Sequence, residues 1–210
     1  MLLSSVQLYR NAYNGLSRHV WWLSLVIFIN RSGTMVIPFL TVYLTDKGYS
    51  LAQAGYAMAA FGTGAIAGAY LGGRLTDRLG HFYVQVFSLL MNGILFIVLG
   101  QMRTLPQIIV CIFILSTLGE SFRPANSAAI AAYSNDANRT RSYSLNRLAI
   151  NLGWSIGPAV GGLLASRSYS LLFWVDGLTC IIASMLLYLV FSPVKEAHAP
   201  KRQPAKNNLG

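Results

Sequence analysis

Phe82-Tyr83-Val84-Gln85-Val86-Phe87-Ser88-Leu89-Leu90-Met91-Asn92-Gly93-Ile94-Leu95-Phe96-Ile97-Val98-Leu99-Gly100 contains no Asp, Glu, Lys, Arg or His. Wound as a helix at ~1.5 Å per residue, such a run is about 28 Å long, enough to cross the hydrocarbon core of a bilayer. Its apolar residues are continuous rather than alternating, which argues against a barrel strand. Working outward, residues 20–44 and 54–75 precede it with the same character, and residues 108–133, 142–165 and 171–191 follow it. The reading is an all-α polytopic membrane protein with six transmembrane helices. Composition agrees. Of 210 residues 54% are hydrophobic and only 10% charged, against about 25% charged in soluble domains. A net charge of +10 raises the question of nucleic acid, but the basic residues lie in short gaps between apolar runs. They form no single basic face, so no nucleic-acid partner is expected.

Those gaps set the orientation. With the N-terminus inside, the cytoplasmic segments hold Arg10, Arg18, Arg74, Arg78, Arg139, Arg141, Arg147, Lys195, Lys201, Arg202 and Lys206, and the outer loops only Lys47, Arg103 and Arg167. The excess of basic residues places both termini in the cytoplasm. The chain divides into a cytoplasmic N-terminal segment (1–19), a six-helix bundle (20–191) and a basic, proline-containing tail (192–210) that reads as solvated chain or the start of a linker. The N-terminal segment has no short apolar stretch with a cleavage site, so no removable signal peptide is expected. Cys111 and Cys180 fall inside apolar runs and read as packing residues, with no metal spacing.

Two glycine ridges stand out, Gly64-Gly68-Gly72 and Gly153-Gly157-Gly161. Four-residue spacing lets two backbones approach closely, a principal means of helix association in lipid. Three ionisable residues, Arg31, Glu120 and Arg123, fall about 15–20 Å deep at 1.5 Å per residue. Charges there are costly and normally face a cavity or a partner. Glu120 and Arg123 are three apart and share a helix face, so they can pair. One carboxylate cannot neutralise both arginines, so the site carries spare positive charge. Asn30 and Asn92 add neutral hydrogen-bonding groups, and Pro38 and Pro124 free backbone carbonyls nearby. Asp176 is placed nearer the outer surface, as a weaker candidate. A buried ion pair that only holds helices together is the plainer alternative.

Gly73-Arg74-Leu75-Thr76-Asp77-Arg78-Leu79-Gly80, between the second and third runs, resembles motif A of the major facilitator superfamily, with His81 and Phe82 where two basic residues are usual. Gly153-Trp154-Ser155-Ile156-Gly157-Pro158-Ala159-Val160-Gly161-Gly162 is similar to motif C, the antiporter signature. Arg123 occupies the place of the motif B arginine, with Ser127 where a glycine is usual. The resemblance covers nearly the whole chain but half of a typical twelve-span member. It implies the N-terminal six-helix bundle of that fold and alternating access, in which two halves rock about a central site. It further implies that Gly73, Asp77, Arg78 and Gly80 belong to a cytoplasmic latch, and that Glu120 and Arg123 take part in proton coupling. Gly153, Gly157, Pro158, Gly161 and Gly162 would pack against the other half.

The expected function is therefore secondary transport, first as proton-coupled drug or small-molecule efflux, second as symport of an anionic substrate or peptide. A non-transporting six-helix subunit or fragment is a third reading. No enzyme is expected. His19, His81 and His198 lie at or beyond helix ends, and the chain has no His-Glu-x-x-His helix. The implied partners are the lipid bilayer, a small-molecule substrate, and a second six-helix half or a homodimer partner. No cofactor is expected beyond the proton as coupling ion, and the resemblance suggests a bacterial plasma (inner) membrane.

Overall fold

The structure, a computed structural model, describes residues 13–192. Arg10 and the tail basic residues Lys195, Lys201, Arg202 and Lys206 lie outside the described residues, as do most of the expected terminal segments. Seven helices are described: α1 (Arg18–Ser32), α2 (Val36–Asp46), α3 (Leu51–Leu79), α4 (His81–Leu99), α5 (Leu105–Ala132), α6 (Arg139–Ala165) and α7 (Tyr169–Phe191). Five spans are long and apolar enough to cross a membrane: α1 with α2, and α4 to α7. The helix over the second expected run, α3, is the longest at 29 residues, but it is not among these five, because its glycines and tyrosines lower its hydropathy. It packs along α5 more extensively than any other pair of helices packs.

Local chemistry sets several helix starts. Ser50 and Gln53 form a reciprocal capping box at the start of α3, 3.2 Å and 2.8 Å. Ser17 caps α1 by accepting the Val20 N–H. Each cap satisfies backbone donors that have no partner within the helix. One residue, Gly80, joins α3 to α4, at φ 83° and ψ 156°. Only glycine occupies that region freely, and nothing lies within 4 Å of a methyl placed there. Gly80→Ala is therefore a test of backbone strain alone. We predict a loss of about 1–3 kcal/mol, read from the unfolding midpoint in mixed detergent micelles. An unchanged midpoint would mean that the turn relaxes at no cost.

Contacts between connections show that the chain alternates between two ends. At one end the Ser17 hydroxyl donates to the Tyr133 carbonyl (2.8 Å), Asn138 Nδ2 donates to the Gly15 carbonyl (3.1 Å), and the His81 and Phe191 rings meet Tyr133. At the other end Lys47 Nζ donates to the Met102 carbonyl (3.2 Å) and the Tyr49 hydroxyl to that of Arg103 (3.0 Å). Arg18, Arg74, Arg78, Arg139 and Arg141 thus gather towards the first end, and Lys47, Arg103 and Arg167 towards the second.

The helices pack as α3 on α5, α5 on α4, α4 on α7, α7 on α1 and α1 on α6, with only slight contact between α5 and α6. Two apolar clusters result. One gathers Leu40, Leu44, Leu99, Ile108, Ile112 and Leu172 towards the second end. The other gathers Leu23, Ile27, Phe122, Ile130, Ala183 and Leu187 towards the first. Between them lies a polar layer containing Asn30, Arg31, Asn92, Glu120 and Asp176. Large side chains such as Ile66, Leu163 and Leu189 are exposed on the outside, as suits a surface facing lipid tails rather than water.

Candidate functional site

The first expected span is not one continuous helix. It breaks at Gly33-Thr34-Met35, and α2 restarts at Val36. Pro38 sits in the first turn of α2, where its missing N–H is no loss. Gly33 backs onto the Thr179 side chain with no room for a methyl. The break is stabilised from α7. Asp176 Oδ2 accepts the backbone N–H groups of Met35 and Val36, each at 3.1 Å. A carboxylate there complements the positive end of the α2 dipole and satisfies donors that the helix leaves free. Asp176, expected nearer the outer membrane face and only as a weaker candidate, is 1% exposed and so buried within the bundle. It is an interior capping group and lines the central cavity.

That cavity, of ≈ 180 Å³, is bordered by Asn30, Arg31, Asn92, Glu120, Trp154 and Asp176, among others. A second cavity of ≈ 600 Å³ lies between α1, α5 and α6 and extends towards the first end. Arg31, Glu120, Phe122 and Trp154 border both, so the two stand in series with these side chains between them. Pro124 cannot donate to the Glu120 carbonyl, nor Pro158 to that of Trp154, because proline lacks the N–H for the i to i−4 bond. Each proline thus loosens its helix beside that junction.

Glu120 Oε2 and Arg123 Nη1 are 3.1 Å apart, an i, i+3 pair within α5. The Arg123 side chain is 69% exposed and that of Glu120 20%, so Arg123 faces out of this six-helix unit while Glu120 sits at the cavity wall. Arg31 has no salt bridge among the described residues, and its Nε is buried without a hydrogen-bond partner. Asn30 Nδ2 donates weakly to Cys180 Sγ at 3.2 Å, and Asn92 Oδ1 is buried without a partner. The structure thus brings Asn30, Arg31, Asn92 and Glu120 to one cavity, with Arg123 on the rim of the next.

The remaining candidates are placed differently. Gly73, Asp77, Arg78 and Gly80 lie at the α3–α4 junction, remote from the cavities. Asp77 and Arg78 are exposed, and neither forms a salt bridge among the described residues. The glycines of α6 pack within this chain. A methyl at Gly153 would come 2.5 Å from Arg31 Cβ, one at Gly157 2.8 Å from the Thr34 carbonyl oxygen, and one at Gly161 3.1 Å from Met35 Cβ. Within this chain the ridge meets the broken first span, where α1 and α2 offer α6 a close backbone approach. Gly162 makes only an ordinary contact with Phe39, and Pro158 is half-buried.

Sequence reasoning missed the α6 side of the wider cavity: Tyr143, Asn146, Arg147, Ile150, Asn151 and Trp154. Their signal is a polar stripe at three- and four-residue spacing, which places them on one helix face. Asn126 Nδ2 donates to Asn146 Oδ1 across α5 and α6 at 3.3 Å, and the Tyr143 hydroxyl donates to the Ser127 carbonyl at 3.0 Å.

Residues 20–209 match the family pattern of the Major Facilitator Superfamily. The uncharacterized MFS-type transporter YdeE of Escherichia coli (strain K12) is 26% identical over 170 residues, covering 80% of this chain and 42% of that protein. The uncharacterized MFS-type transporter YqjV of Bacillus subtilis (strain 168) is 26% identical over 175 residues, covering 83% and 43%. The quinolone resistance protein NorA of Staphylococcus aureus (strain Mu50 / ATCC 700699) is 25% identical over 162 residues, covering 77% and 42%. The matched region thus spans about two fifths of the length of these relatives.

Proposed function

Because this chain belongs to the Major Facilitator Superfamily, an assignment carried by the match over residues 20–209, we propose that it supplies one six-helix side of a proton-coupled exporter of small molecules. Its counterpart is a second six-helix unit, either continuous with it in a longer chain or a second copy, set against the face where α1, α5 and α6 leave the wider cavity open. The end rich in arginine faces the cytoplasm of a bacterial inner membrane. The quinolone resistance protein among the relatives supports a drug-like cargo. The slim contact between α5 and α6, beside the closely packed α3–α5 pair, suits a seam that opens while the rest stays rigid.

The observation that carries this reading is the Glu120–Arg123 pair at the junction of two cavities in series. Protonation of Glu120 removes the charge that holds Arg123, so the pair breaks and the balance between the two access states shifts. Binding of a proton and of cargo is then coupled through one layer of the bundle, as differential stabilisation of two states requires. Asp77 and Arg78 are taken as part of the cytoplasmic latch against the counterpart.

The test is Glu120→Gln. Native mass spectrometry in nanodiscs first establishes whether the chain pairs with itself. A self-paired chain goes directly into proteoliposomes, and one that stays single is assayed with its six-helix counterpart restored. Uphill dye extrusion driven by a pH gradient is expected to fall at least about tenfold, while downhill exchange survives. Undiminished uphill transport would remove Glu120 from the coupling step.

A further inference from the structure

The wider cavity has a charge balance that efflux of a neutral or cationic molecule does not explain. Its wall carries Arg31, Arg123 and Arg147, and the one acidic residue on it is Glu120. Glu120 is engaged by Arg123 at 3.1 Å. Arg147 forms no salt bridge among the described residues, and Arg31 Nε is buried with no hydrogen-bond partner. Among the described residues, two guanidinium groups on this cavity have no carboxylate of their own. The same cavity presents neutral hydrogen-bonding groups on Tyr143, Asn146 and Asn151, and apolar walls on Ile27, Phe122, Ile150 and Trp154. At ≈ 600 Å³ it is within the range of sites for small organic ligands.

We propose that this cavity binds an oxyanion carried on an apolar, preferably aromatic, body, with Arg147 and Arg31 as the clamp and Trp154 as the flat wall. The inference rests on the transporter reading above and names its class of cargo, a soluble aromatic carboxylate. The planar guanidinium fork matches a carboxylate in two parallel hydrogen bonds, which an ammonium or a neutral group cannot reproduce. A cation placed there meets two positive charges that no carboxylate among the described residues neutralises. The three- and four-residue spacing of Tyr143, Arg147, Ile150 and Trp154 sets cationic, polar and apolar groups along one face of α6. A molecule with a charged head and an apolar body fits along that face.

The experiment measures equilibrium binding to the full chain in phosphatidylcholine nanodiscs by calorimetry. It uses three probes of one shape: 2-naphthoate, 2-naphthylmethanol and 2-naphthylmethylammonium. Naphthoate is expected to bind at least about tenfold more tightly than the alcohol, with the ammonium weakest. Arg147→Gln is expected to weaken naphthoate about tenfold with an unchanged thermal midpoint, and Arg147→Lys to recover part of the loss. Tighter binding of the ammonium, or naphthoate binding indifferent to Arg147→Gln, would overturn the proposal. A parallel series adds phosphatidylglycerol, whose headgroup carries the same oxyanion chemistry. Unaltered naphthoate affinity there assigns the site to soluble anions, whereas displacement by this lipid overturns that assignment. Binding is read at equilibrium, so it is independent of coupling. Failure here beside a transport-defective Glu120→Gln would leave the transporter reading standing.

Discussion

Gly68→Ala is expected to destabilise the bundle by about 2–3 kcal/mol, while the same substitution six residues earlier, Gly62→Ala, costs nothing. A methyl at position 68 would fall on the Thr117 carbonyl oxygen and within 2.9 Å of Thr117 Cα. These are backbone atoms of α5, and no rotamer change makes room. The Ser121 hydroxyl also donates across this contact to the Gly68 carbonyl, at 3.0 Å. A methyl there must push two long helices apart, and overpacking of a tight contact costs roughly 1–3 kcal/mol. The local helix preference for alanine, at most about 1 kcal/mol, does not offset that. Gly62 has nothing within 4 Å of its added methyl, so there the preference acts alone and the change is neutral to stabilising. Unfolding midpoints in mixed detergent micelles decide the matter. Equal midpoints for the two variants would show that the α3–α5 contact does not depend on close backbone approach.

Asp176→Ala is expected to cost about 2–4 kcal/mol and to loosen the first span at its break. The Met35 and Val36 N–H groups both donate to Asp176 Oδ2 at 3.1 Å, and the carboxylate is 1% exposed. A buried donor left without an acceptor costs about 1–3 kcal/mol, and two are orphaned here. Relief from burying a negative charge returns part of this. Asp176→Asn keeps an acceptor oxygen and is expected to lose about half as much. Hydrogen exchange localises the effect: the Met35 and Val36 amides should lose protection first, ahead of the α3–α5 core. Parent-like stability with protected amides at 35 and 36 in Asp176→Ala would show that the break is held without this carboxylate. The prediction bears on the proposed transport site as well, because Asp176 and Arg31 border the same cavity. A loosened break therefore alters the site along with the fold.

The contrast between Gly68 and Gly153 shows how far spacing alone can be read. Both ridges are visible as four-residue repeats. For Gly64, Gly68 and Gly72 the spacing implied a close helix contact, and α5 supplies it. For Gly153, Gly157 and Gly161 spacing again gave the right kind of contact, and within this chain the partner is the broken first span. The ridge packs on Arg31, Thr34 and Met35. Spacing reports which face of a helix is small. It carries no information about which neighbour lies against that face.

The apolar runs, the excess of basic residues in alternate gaps, and the Glu120–Arg123 pairing are local properties, and the sequence by itself determined them. A run of about 20 apolar residues is long enough to cross a bilayer, and residues three apart on a helix share a face whatever surrounds them. The tertiary structure alone decided the interruption of the first span, whose partner on α7 is 141 residues away in sequence. It also decided that Asp176 is interior, that Arg123 faces outward, and that Arg147 joins Arg31 on one cavity wall. Each depends on how helices distant in sequence are rotated against one another. That rotation is set by the sum of many small packing contacts, to which no single stretch of the chain holds the key.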